Sequence, residues 1–245
     1  GPGPVFRRKT VCALSLTSLA LVAGCGGGGE GAGLLSYLPN FAAPAPVDIA
    51  VLTAGFAIGS TVAADALALL ATSRYEDTRT GIVWLQQQFD PTIPDNATQY
   101  PLLSSGAAFA HAAGVTGKGQ LIAISDEHMS PGHSVFAGKI VTMDSDVAGG
   151  SEHGTAVASV AAGNAAGFVG TAPDADLLFG SWDDDSLAAL GQRALTMGAV
   201  AWNNSWGYVD AGLTRTDFNA TFSGTGGQAY LAALDAYAAQ GVVVF

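Results

Sequence analysis

Two polar side chains of this sequence stand where chemistry could be done. Asp126 directly follows the apolar run Leu121-Ile122-Ala123-Ile124-Ser125, and His153 opens the small-residue stretch His153-Gly154-Thr155-Ala156-Val157-Ala158-Ser159. An imidazole held in place can act as a general base when a carboxylate at its other nitrogen fixes tautomer and orientation. An Asp at a strand end, taken alone, is usually a turn or helix cap. A strand-end Asp followed by His-Gly-Thr at a helix start is a more specific combination. Gly154, Ala156, Ala158, Ala161 and Ala162 give that helix a surface that can pack closely and hold the imidazole still. A second chemistry uses the same region: Asp126 or Glu127 with His128, His133 and His153 are zinc-ligand types, which would make a metal-dependent hydrolase. Their spacing matches no compact helical metal motif, and His128 and His133 flank Pro131-Gly132, a loop signal.

The elements that must carry these residues follow from the apolar pattern. Gly106 to Ala113 reads as a helix ending at Gly114, a left-handed C-cap, and Gly117-Lys118-Gly119 then turns the chain into the strand at Leu121. Further strands are expected over Ala175–Phe179, Ala199–Trp202 and Val242–Phe245, with helices over His153–Ala162, Ser186–Met197 and Gln228–Gln240. The helix from Ser186 sits behind the acidic cap Asp183-Asp184-Asp185, and the last helix repeats Leu231, Leu234 and Ala238 along one face. Strands alternating with helices predict an α/β fold, a parallel sheet with helices on both faces. In such sheets functional groups gather at the carboxyl ends of the strands, which is where Asp126 falls.

The rest of the 245 residues sets the context. Charged residues make up 12% and Gly contributes 33, which is not the composition of a charged disordered tail. The net charge is −11, and three of the nine basic residues, Arg7, Arg8 and Lys9, precede an apolar run from Val11 to Val22. An acidic surface disfavours nucleic acid and anionic lipid as partners. The basic start and short apolar run read as an export signal over 1–25. Leu21-Val22-Ala23-Gly24-Cys25 resembles a bacterial lipobox, in which Cys25 would be lipidated after cleavage. With Cys12 inside the signal, the mature chain keeps one thiol and no internal disulfide. Residues 26–46 read as a Gly/Ala/Pro tether, 47–101 as a lead-in or pro-segment without an assigned role, and 102–245 as the catalytic part. The apolar stretch Ile49–Ala64 is shorter than the roughly 20 residues a membrane helix needs and reads as a buried or peripheral segment.

From about residue 103 onward the chain resembles the subtilisin-like serine proteases, the subtilases, whose triad runs Asp, His, Ser along the chain. Gly170-Thr171-Ala172-Pro173 looks like the family's Gly-Val-Ala-Pro segment, and Asn203-Asn204-Ser205-Trp206-Gly207 looks like its substrate-cleft strand. The resemblance implies Asp126 as orienting acid, His153 as general base, and Asn204, Ser205, Trp206 and Gly207 as the strand that pairs with a polypeptide substrate. The sequence departs from the family at Glu127-His128, where Ser/Thr-Gly is usual, and at Ala156, where a second His is usual. No Gly-Thr-Ser-x-Ala-x-Pro segment occurs, and neither Ser151 nor Ser205 has the nucleophile's context. The expectation is an N-terminal fragment, its sheet incomplete, that stops before the oxyanion Asn and the catalytic Ser and is inactive alone. No cofactor or metal is assigned: Asn164 falls where many relatives offer a calcium ligand, but Val135 stands where its partner Asp would be. The lipobox, the helix before Gly117-Lys118-Gly119 and Asn203-Asn204-Ser205-Trp206-Gly207 together look most like the subtilases of bacterial autotransporters. That implies an outer-membrane or cell-surface lipoprotein, or a secreted one, with membrane contact only through Cys25 and a C-terminal outer-membrane barrel beyond this chain. The competing reading is a non-catalytic lipoprotein that keeps the scaffold as a binding module.

Overall fold

The computed structural model describes residues 50, 58–87, 91–92, 101–144, 152–181, 184–205 and 214–244. In chain order the helices are α1 (Ser60–Leu70), α2 (Ser73–Gln87), α3 (Pro101–Ser104), α4 (Ala107–Ala112), α5 (Glu152–Ala162), α6 (Asp184–Thr196), α7 (Arg215–Ser223) and α8 (Thr225–Ala239). The strands are β1 (Leu121–Asp126), β2 (Val141–Met143), β3 (Asn164–Ala165), β4 (Phe168–Val169), β5 (Asp176–Ser181), β6 (Ala201–Asn204) and β7 (Val243–Val244). Five strands form one parallel sheet in the order β2-β5-β1-β6-β7, and β3 and β4 form a separate antiparallel pair.

The parallel strands are apolar because both faces are covered, as a parallel sheet requires. Successive side chains point to opposite faces, so each strand feeds two cores. Ile124, Leu177 and Phe179 join Ala158 and Ala162 of α5 on one face. Ala123, Leu178 and Trp202 join Leu190 of α6 and Tyr237 of α8 on the other. The α/β architecture expected from the sequence is therefore the architecture of the protein.

Several elements differ in extent from the sequence expectation. Asp126 is the last residue of β1 rather than the first after it, because it stays in register with Ser181 of β5. β6 runs over Ala201–Asn204 instead of Ala199–Trp202. Gly198 takes φ 76° and the Ala199 N–H returns to the Ala194 carbonyl (2.9 Å), so Ala199 closes α6 instead of starting a strand. The polar Asn203 and Asn204 are then drawn into the sheet by Ile124 and Ser125 of β1. In α8, Leu231 is 38% exposed and Ala238 is exposed, whereas Ala233 and Tyr237 are buried. The inward face is Tyr230, Ala233, Leu234 and Tyr237, because packing on Trp202 favours the aromatic rings.

The lead-in without assigned role contains α1 and α2. They share a third core with α3, α4 and Val169 of β4, centred on Ala66, Tyr75, Leu103 and Phe109. α1 begins inside the apolar stretch that ends at Ala64, and Ala66 is fully buried. Among the described residues no helix is long and apolar enough to cross a membrane. Cys25, the signal and tether segments and residues 51–57 lie outside the described residues.

Candidate active site

The site begins at the centre of the sheet. β1 lies between β5 and β6, so its carboxyl end opens onto both neighbours, with Ser181 beside Asp126 and Asn204 beside Ser125. Asp126 is 1% exposed. A buried carboxylate needs donors, and Oδ1 accepts two hydrogen bonds, from the Glu127 N–H (2.7 Å) and from His153 Nδ1 (2.8 Å). A carboxylate only accepts, so Nδ1 of the imidazole carries the proton and Nε2 is the basic nitrogen when His153 is neutral. Asp126 Oδ2 and His153 Nε2 are buried and make no hydrogen bond among the described residues. The hydrogen bond that His153 donates to Asp126 raises the His153 pKa above the ordinary imidazole value. Burial opposes this, and the negative charges of Asp126 and Glu127 add to it.

The helix that carries His153 is fixed at both ends. At its first turn, a Cβ on Gly154 would collide with the His128 carbonyl oxygen and lie 2.7 Å from Phe179 Cζ, so only Gly allows this approach. Thr155 Oγ1 accepts the Ser130 N–H (3.0 Å), tying the loop after Asp126 to the same turn. At its last turn, the Gly163, Thr171 and Ala172 N–H groups reach the carbonyls of Ser159 (2.7 Å), Val160 (2.8 Å) and Ala161 (2.8 Å). Small residues at Ala158 and Ala162 seat the helix on the sheet.

The other expected site residues are distributed unevenly. Asn204 ends β6 and Ser205 follows it, its N–H donating to the Ser125 carbonyl (3.2 Å) and its hydroxyl accepting from Asn203 Nδ2 (2.5 Å). Trp206, Gly207 and Ser151 lie outside the described residues. The edge of β6 away from β1 is taken by β7 at Ala201 and Trp202. His133 does not turn toward Asp126: its Nδ1 accepts the Val135 N–H (3.2 Å) at the start of a short 3-10 turn. No cluster of three or more His, Cys, Asp or Glu side chains able to hold a metal ion occurs among the described residues. Nor do the residues at Asn164 fit calcium. Its Oδ1 accepts from the Arg74 guanidinium, its Nδ2 donates to Asp174 Oδ1 (3.0 Å), and Val135 is buried in the apolar core.

Sequence reasoning missed the supporting polar contacts. Trp202 Nε1 donates to the buried Ser125 Oγ (2.8 Å), locking β6 to β1 one residue before Asp126. Arg74 and Thr78 of α2 reach β3 and β4, which follow α5, and Tyr75 of α2 reaches His111 of α4. Nothing in the local pattern marks these residues, because their partners are remote in sequence.

The profile of the subtilase family, peptidase S8, matches residues 117–245. An extracellular serine protease of Serratia marcescens is 34% identical over 121 residues, covering 44% of this chain. This chain spans only 12% of that relative's length. Among solved structures, a prenylagaramide maturation protease is 23% identical with a TM-score of 0.39, over 51% of this chain and 44% of that one. Fervidolysin from Fervidobacterium pennivorans, a keratinolytic enzyme related to subtilisin, is 20% identical with a TM-score of 0.40, over 62% of this chain and 25% of that one.

Proposed function

The chain belongs to the subtilase family, and from that membership we propose that it is the Asp- and His-bearing part of a serine endopeptidase. The observation that carries this reading is the 2.8 Å hydrogen bond from His153 Nδ1 to the buried Asp126 Oδ1. In the reaction a serine hydroxyl attacks the peptide carbonyl while His153 Nε2 takes its proton. Asp126 holds the imidazole and stabilises the imidazolium, and the proton then passes to the leaving amine. No segment of these 245 residues matches the family's nucleophile motif, so no serine is assigned to that role here. Substrate is a polypeptide that adds as a strand along Asn204, Ser205, Trp206 and Gly207. Because β7 occupies the β6 edge at Ala201 and Trp202, main-chain pairing with substrate starts no earlier than Asn203.

The same reading makes the protein an exported one, as the relative from Serratia marcescens is by its description. In an outer-membrane or cell-surface form Cys25 is its lipidated N-terminus; the alternative is a secreted protein. Mass spectrometry of the full gene product from a Gram-negative host tests the anchor; an unmodified or differently cut terminus removes it and leaves the protease reading standing.

The activity test is to extend the chain until it includes a Gly-Thr-Ser-x-Ala-x-Pro segment and assay peptide hydrolysis. Cleavage is expected, blocked by a serine-directed acylating reagent and abolished by His153→Ala. A fully extended protein that binds peptides without cutting them would instead make this a binding module, and inhibition by a chelator alone would favour the metal-dependent alternative.

A further inference from the structure

The helix α2 reaches across roughly ninety residues of sequence to the chain that leaves the His153 helix. Arg74 Nη2 donates to Asn164 Oδ1 and Arg74 Nε to the Ala165 carbonyl (3.0 Å), both on β3. One turn later, Thr78 Oγ1 accepts the Val169 N–H of β4 (3.0 Å) in a buried setting. Tyr75 OH lies 2.9 Å from His111 Nδ1, and His111 Nε2 donates to the Thr171 carbonyl (2.8 Å). A carbonyl accepts only, so Nε2 carries that proton and Nδ1 accepts from the tyrosine. Arg74 and Thr78 thus hold β3 and β4 directly, and Tyr75 reaches Thr171, in the segment after β4, through His111 of α4.

That segment is what fixes the far end of α5. Gly163 follows α5 directly and β3 begins at Asn164, while Gly170, Thr171 and Ala172 bond back to Gly163, Val160 and Ala161. α5 spans 11 residues, about 16 Å at the helical rise. It carries no internal break, so a tilt at its last turn moves its first turn, where His153 sits. The hydrogen bond to Asp126 (2.8 Å) is directional, and a displacement on the order of 1 Å there is enough to lose productive geometry.

We propose that Arg74 is a positioning residue for His153, and that the helix pair α1–α2 is a retained part of the catalytic unit rather than a removable leader. The guanidinium is a built-in cation: it holds the Asn164 oxygen that a metal ion would otherwise need and adds the Ala165 carbonyl to it. The catalytic meaning rests on His153 being the general base, but the positioning can be measured without any turnover.

The experiment uses the 245-residue chain and two NMR readouts, the low-field proton of the His153–Asp126 hydrogen bond and the titration midpoint of His153. Arg74→Ala is expected to remain folded by circular dichroism, lose the low-field proton and move the midpoint down toward the ordinary imidazole range. Arg74→Lys, which keeps a cationic donor, should restore part of both. Arg79→Ala, on the same helix but paired with Glu76, should change neither. A folded Arg74→Ala chain with both readouts unchanged overturns the proposal. If Arg74→Ala does not fold, Thr78→Val decides by the same two readouts: a smaller downward move supports the proposal and no change overturns it. Asp126→Asn separates the two claims. If it leaves the low-field proton and the midpoint in place, the catalytic pair itself is wrong, whatever Arg74 does.

Discussion

His153 Nδ1 and Asp126 Oδ1 lie 2.8 Å apart although 27 residues separate them in the chain and they belong to different elements. The pair joins the end of the central strand to the first turn of a helix packed on the sheet's face. Replacing Asp126 by Asn keeps the shape but offers the imidazole an amide, which favours the wrong tautomer. In the extended, serine-bearing protein this should lower kcat by about ten-thousandfold with little change in KM. Steady-state kinetics on a peptide substrate checks it, and a loss under tenfold would sink the role given to Asp126.

The same bond sets a pH dependence. Asp126 raises the folded-state pKa of His153, so the neutral base form appears only above the ordinary imidazole value of about 6.5. The acid limb of kcat/KM in the extended protein should therefore lie above that value and fall toward it in Asp126→Asn. For stability the sign follows from linkage. The pair's contribution is full below the unfolded pKa and fades as pH rises through the raised folded value. Thermal midpoints of the 245-residue chain across that window should decline, and Asp126→Asn should flatten the decline.

Gly154 and Gly81 make a matched pair. A methyl at Gly154 meets backbone at His128 and the ring of Phe179, whereas one at Gly81, in the middle of α2, has nothing within 4 Å. Gly154→Ala should cost about 3 kcal/mol through overpacking, and Gly81→Ala should gain about 1 kcal/mol from helix propensity. Urea unfolding of both variants tests the contrast; equal effects would mean that α5 is not seated as described.

Tyr237 is fully buried on Trp202, and its hydroxyl has no hydrogen-bond partner among the described residues. Removing an unsatisfied buried hydroxyl is neutral or favourable, so Tyr237→Phe should hold or raise the unfolding midpoint. Burial also pushes the pKa of Tyr237 up and that of Tyr230 up to about 12. Both phenols ionise more readily in the unfolded chain, so stability should fall as pH rises above about 10. The fall should be shallower in Tyr237→Phe; an equally steep fall would show that Tyr237 does not contribute.

Ser125→Ala tests the lock between β1 and β6. The Trp202 indole N–H would lose its buried acceptor, at a cost of about 1–3 kcal/mol. Trp202→Phe in the same background should recover part of that loss, because the orphaned donor is then gone.

Much of the candidate site could be read from local pattern. The run from Leu121 to Ser125 must bury both faces, and the small residues after His153 must pack closely, so strand, helix and the positions of Asp126 and His153 are all marked within a few residues of themselves. The extents of β6 and of the buried face of α8 were less legible. They depend on what lies opposite: Ile124 and Ser125 draw Asn203 and Asn204 into the sheet, and Trp202 selects Tyr230 and Tyr237 over Leu231.

The sequence by itself determined the α/β order of elements and the place of Asp126 and His153 at a strand end and a helix start, because backbone periodicity and capping are short-range. Only the tertiary structure decided that the two meet at 2.8 Å, that Gly154 is there to let the His128 carbonyl approach, and that Arg74 and Thr78 hold β3 and β4, the strands that follow the His153 helix. The first half of α2 mixes Arg, Glu, Asp and Thr, and gives no local sign of its partners. A hydrogen bond between residues some ninety positions apart leaves no periodic trace; it exists only once the chain has folded and burial has made each unpaired polar group costly.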